Sequence, residues 1–172
     1  MALIVTAGSS SADSYATVAA CDSYHSARGN ATWTGTDTLK EQALRRATQW
    51  LDGRYGSRWP GTTTYGRDQA LDWPRAWVED ASGYAVATET IPQEVVNATC
   101  EAALRELVSP GSLSPDVTPG TVKVLTEVKG IRWTPLRSSA GASDMAPVIA
   151  AVDGALSGLM IAGRGLVPVA RG

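Results

Sequence analysis

The chain has no phenylalanine, a single histidine and only two cysteines among its 172 residues. Each scarcity excludes chemistry. A structural zinc site wants four clustered Cys/His ligands, and His25, on an expected helix beside Tyr24, is a poor metal ligand or triad member. Cys21 and Cys100 both fall on expected helices among apolar neighbours, so they read as buried free thiols rather than a disulfide or metal pair. No Walker-type phosphate loop, G-x-G-x-x-G or G-x-S-x-G occurs, and Gly163-Arg164-Gly165 lacks the strand–turn–helix context such loops need. Adjacent acids such as Glu79-Asp80 fall in an expected turn, where carboxylates are simply solvated. The expectation is a protein that is not an enzyme and needs no cofactor or metal.

Long hydrophobic runs are also missing. Residues 1–18 lack the basic start and apolar stretch of a signal peptide. The most apolar stretch, Met145 to Gly163, carries Asp153 near its centre and Pro147 near its start. A charge there is costly in a bilayer, so this reads as a packed helix with no membrane contact, in a protein made in a cytoplasm.

What is present is a globular composition, 44% apolar and 19% charged, with six tryptophans. The net charge of −2 hides a segregation: residues 40–75 carry +3, residues 76–128 carry −6 and residues 129–172 carry +3. A dedicated DNA binder is normally basic overall, because phosphate neutralisation supplies much of its affinity. Opposite-signed zones suit protein association instead.

Periodicity and punctuation give a mainly α (α+β) fold, with about three main helices, short β-hairpin excursions and an extended C-terminal arm. Leu3 to Thr6 is β-prone. Thr17 caps a first helix that Gly29 stops. Thr36 or Asp37 caps a second, about Thr38 to Tyr55, with Leu39, Ala43, Leu44, Ala47, Trp50 and Leu51 on its apolar face. Trp77-Val78 and Tyr84 to Val86 flank a turn and read as a hairpin. Pro92 opens a third helix to Val108, with Val96, Cys100, Ala103 and Leu107 inward and Glu94, Asn97, Glu101 and Arg105 outward. Val122 to Val128 and Ile131 to Trp133 read as strands around Lys129-Gly130, and a short helix spans about Ala146 to Met160. This divides the chain into residues 1–136, a helical domain with hairpins, and 137–172, a linker, short helix and arm.

The most unusual stretch is Gly66 to Arg75. Pro74 pushes Trp73 out of the α region, and Asp72 and Arg75 are placed to pair. Leu71, Trp73, Pro74 and Arg75 therefore read as a rigid structural corner or subunit contact; the alternative is a binding surface on Trp73 for a base, sugar or proline-rich peptide.

Gln69-x-Leu71-x-Trp73-Pro74-Arg75 resembles a stretch of the head–tail connector (adaptor, or head-completion) proteins of tailed phages, a family often labelled DnaT-like single-strand-DNA-binding. Asp13 to Ala19, Ile91 to Val95, Val122 to Val124 and Ala151 to Leu156 agree in order and spacing, over nearly the whole chain. The resemblance implies a structural protein of the virion neck, assembled in the host cytoplasm. It implies a twelve-fold ring of identical subunits that binds the portal protein and the next connector or tail protein, with genomic DNA passing through its channel. The acidic zone would help line that channel. Arg164, Leu166, Val167, Val169 and Arg171, in the Gly-flanked tail, would then form a partner-binding arm. The alternative function is a single-stranded-DNA-binding module with Trp33, Trp59, Trp73 and Trp77 near arginines as a stacking platform.

Overall fold

The computed structural model describes residues 2–116, 127–128, 131–132 and 148–160. Four helices appear in them: α1 (Val18–Ala27), α2 (Asp37–Tyr55), α3 (Gln93–Val108) and α4 (Ala150–Leu156). They are joined by β1 (Thr62–Thr63) and β2 (Arg75–Ala76), paired antiparallel, and by β3 (Glu127–Val128) and β4 (Ile131–Arg132), which form a second antiparallel pair. The mainly α fold with small β-hairpins is the one the sequence pattern implies.

Helix starts follow local chemistry. The Thr17 hydroxyl accepts the Ala20 N–H at 3.0 Å, and the Thr36 hydroxyl accepts that of Leu39, so each cap satisfies a donor the helix cannot. Gly29 follows α1 with φ +66°, a conformation that costs glycine little. Leu3 to Thr6 forms no strand: the Ile4 N–H is taken by the Asp13 carboxylate and its carbonyl by the Asp13 N–H, so the segment closes on its own loop.

α3 lies at the centre, packed on α2, α4 and α1. Its buried face is therefore wider than one amphipathic stripe and includes Val95, Ala98, Thr99, Cys100, Ala102 and Ala103. Two expectations change. Glu101 is not outward but buried, paired with Arg105 and accepting the Tyr24 hydroxyl at 3.0 Å. Leu39, expected on the apolar face of α2, is 50% exposed because it precedes the part of α2 that α3 covers. Ile149, Val152, Leu156 and Leu159 join the same core as α2 and α3.

The cysteines are likewise corrected. Cys21 and Cys100 form a disulfide tying α1 to α3. The two helices meet where these residues' Cα atoms are 5.3 Å apart, within disulfide reach, although 79 positions separate them in sequence. The expected arm residues Arg164, Leu166, Val167, Val169 and Arg171 lie outside the described residues, as do residues 122–126 and Trp133.

Candidate nucleic-acid interface

Two aromatic regions differ in exposure. The inner one is a run of touching rings. Trp50 and Tyr55 are 5.8 Å apart, Tyr55 and Trp59 5.8 Å, and Trp59 and Trp73 5.7 Å with nearly perpendicular planes. Trp73, before a cis Pro74, is 1% exposed. Trp33 is buried too, on His25, with its N–H donated to Asp22 at 2.6 Å. Three of the four tryptophans expected to form a stacking platform, Trp33, Trp59 and Trp73, are thus core residues, and Trp73 offers no surface to a base, sugar or peptide.

Beneath Trp73 lies a hydrogen-bonded hub. The Tyr15 hydroxyl donates to Asp52 at 2.5 Å and accepts the Trp73 backbone N–H at 3.1 Å, while the Asp72 backbone N–H donates to the other Asp52 oxygen at 3.3 Å. Burial pushes the Asp52 carboxyl up to about 7; the Tyr15 hydrogen bond opposes this and the Asp72 charge adds to it. Burial also raises Asp72, against the pull of Arg75 and of the Trp59 indole beside it. That indole N–H and the one of Trp73 nonetheless complete no geometric hydrogen bond among the described residues. A Cβ at Gly56 would stand 2.7 Å from the Asp72 carboxylate, so glycine makes room for the hub.

Asp52 borders an open groove of about 400 Å³, lined also by Asp13, Arg45, Thr48, Gln49, Ala70 and Leu71. Its acids are committed to the fold: Asp13 to Arg45 at 2.7 Å and to the Ile4 N–H, Asp52 to Tyr15 and Asp72. No group of acids, cysteines or histidine among the described residues is arranged to hold a metal ion, and no described helix is long and apolar enough to cross a membrane.

The expected Asp72–Arg75 pairing is made through the backbone. The buried Arg75 guanidinium donates to the Asp72 carbonyl at 3.1 Å, the Pro60 carbonyl at 2.7 Å and the Gly61 carbonyl at 2.9 Å. Leu71 is half-buried against the core, and Pro74 is buried with its carbonyl accepting from Thr64 N–H and from the Gln69 side chain. Trp73, Pro74 and Arg75 are thus buried, and Pro74 and Arg75 are hydrogen-bonded within the chain, with Leu71 packed beside them.

The outer region begins two residues later. Trp77 is 88% exposed with φ +61°, a left-handed conformation rare for a bulky residue and costing on the order of 1–3 kcal/mol. Flanking structure imposes it. Ala76 pairs with Thr62 on one side, and Val86 N–H bonds the Val78 carbonyl on the other. Gly61, itself at φ +65°, packs so closely that a Cβ there would lie 2.1 Å from the Ala76 carbonyl oxygen. The backbone reversal sends Val78 into the core and leaves Trp77 outside.

The expected hairpin is present. Glu79 bridges Ala85, and the Asp80 carboxylate accepts the N–H groups of Ser82 and Tyr84 across the turn. Ala81 N–H is anchored on the Gly158 carbonyl at 2.8 Å. Tyr84 is 73% exposed on this hairpin. Arg54 is half-buried in the last turn of α2, and Arg58 is exposed in the following turn, over the Tyr55 ring. Neither makes an ion pair among the described residues, and Arg58 is three residues from Gly61. Trp77 and Tyr84 are thus exposed aromatics at this hairpin, and Arg58 lies in the turn that leads into Gly61. Tyr84, Arg54 and Arg58 were not singled out from sequence.

A family model described as "Putative DnaT-like ssDNA binding protein" matches residues 1–172. The chain belongs to that family. No curated protein and no solved structure matches it. The match corrects the resemblance drawn from Gln69 to Arg75. It points to nucleic-acid binding, and nothing in it indicates a head–tail connector, a virion protein or a portal-bound ring. The corner motif that carried the connector resemblance has an internal explanation in the hydrogen bonds of Gln69 and Arg75.

Proposed function

We propose that this protein binds single-stranded DNA by stacking an unpaired base on Trp77, with Tyr84 extending the aromatic surface and Arg54 and Arg58 meeting the phosphates. The observation that carries this reading is an 88% exposed tryptophan held in a strained backbone conformation at the base of a hairpin. A large apolar ring presented to water at a conformational cost is a feature of ligand sites rather than of cores. Family membership supports the same chemistry. Every base has a π-face, so such a platform tolerates any sequence.

The acidic balance of the chain sets the mode of binding. With a net charge of −2 and two arginines at the site, few counterions are released. At roughly 0.7 per neutralised phosphate on a single strand, the log–log salt slope is shallow, near −1.4. Titrating a labelled oligothymidylate into the protein at several salt concentrations tests this. Saturable binding with quenched tryptophan emission and a shallow slope is expected. No binding at low salt, or preference for duplex DNA, overturns it.

A further inference from the structure

Arg75 invites reading as a phosphate contact, since it is a cation two residues from the proposed stacking ring. Its geometry excludes that role. Arg75 is 8% exposed, and all three of its guanidinium nitrogens donate to the carbonyls of Pro60, Gly61 and Asp72 at 2.7–3.1 Å. Those carbonyls belong to two strands of chain that must stay together for Trp77 to stand out: the turn at Pro60-Gly61 and the corner at Asp72. Gly61 then abuts the Ala76 and Trp77 carbonyls directly.

We propose that Arg75 is a positioning residue for strand binding, a clamp that fixes the Pro60-Gly61 turn under the Ala76-Trp77 backbone and so holds the Trp77 ring in its exposed, left-handed pose. The inference rests on the stacking role proposed above. Lysine cannot replace the clamp, because a single ammonium lacks the planar fork that reaches three carbonyls at once. Gly61 is the second half of the device: any Cβ there displaces the Ala76 carbonyl.

The test uses the full chain carrying 5-fluorotryptophan, with the Trp77 fluorine resonance assigned by its loss in Trp77→Phe. In Arg75→Lys, and independently in Gly61→Ala should Arg75→Lys fail to fold, the Trp77 line is expected to shift or broaden while the helical circular dichroism persists. Oligothymidylate affinity should fall by a factor approaching that of Trp77→Ala. The double variant Arg75→Lys with Trp77→Ala should bind no more weakly than Trp77→Ala, and the salt slope should not change. A slope reduced by about 0.7, or full additivity in the double variant, overturns the proposal by making Arg75 a direct phosphate ligand. An unmoved Trp77 resonance in both variants overturns the clamp itself. If the wild-type chain binds no oligonucleotide yet the resonance moves, the stacking role fails while the clamp stands.

Discussion

Trp73 and Trp77 are four residues apart in one segment, and they have opposite fates. Trp73 is 1% exposed, edge-on against Trp59 and held at its backbone N–H by the Tyr15 hydroxyl; Trp77 is 88% exposed. Side-chain type does not decide between them. The difference is made by backbone: a Pro74 corner that turns one ring inward, and a reversal at φ +61° that turns the next outward. Aromatic residues near arginines are thus a poor guide to a stacking surface until the chain path is known.

The comparison can be broken from either side. Trp73→Ala removes a fully buried ring and should destabilise the fold by roughly 3–5 kcal/mol, measured by denaturant unfolding, whereas Trp77→Ala should change stability by less than about 1 kcal/mol. Equal costs for the two would refute the division into core and surface.

The hub under Trp73 gives a pH dependence of unusual sign. Asp52, with its carboxyl raised to about 7 in the folded state, holds a proton that the unfolded chain releases near its ordinary value of 3.8. Between those values the folded state binds more protons, so stability is fully present in acid and is lost as pH rises through 7. The loss should be on the order of 4 kcal/mol. Asp52→Asn should flatten the stability profile between pH 4 and pH 7 and gain on the wild type at pH 8. A profile as steep as the wild type's would place the titration elsewhere.

Replacing Cys21 and Cys100 by serine should lower stability by about 2–4 kcal/mol, because the disulfide closes a long loop in the unfolded chain. A loss under non-reducing conditions that disappears when both proteins are assayed in reductant would confirm the source. The smallest effect should be the most telling. Trp77→Gly relieves the left-handed strain and should leave stability unchanged or raise it by up to about 1 kcal/mol. A marked loss would mean that the ring packs on something.

The sequence carries the helices plainly, because their signals are local: Thr17 and Thr36 caps, Gly29, Pro92 and the apolar spacing of α2. It carries much less of what depends on packing. Glu106, which the helical spacing did not single out, is buried. Burial alone would raise its carboxyl, but the Gly111 and Leu113 N–H groups and Arg46 hold it below its ordinary value while it closes the loop after α3. The disulfide was hidden for a related reason, since apolar neighbours describe a buried thiol and a buried cystine alike. Of the candidate platform, the hairpin that carries Trp77 was legible, but not that Trp77 faces out while Val78 faces in. Trp73 was legible as a structural corner from the following Pro74, whereas Trp33 and Trp59 were not legible as core, because only the tertiary path brings His25 and Tyr55 against them.

The most direct test is a fluorescence titration of wild-type and Trp77→Ala protein with oligothymidylate at low salt. The stacking site predicts saturable quenching by the wild type and an affinity reduced roughly 5- to 150-fold in the variant, the range that one stacked base supplies. Equal binding by both proteins, or none by either, would contradict it.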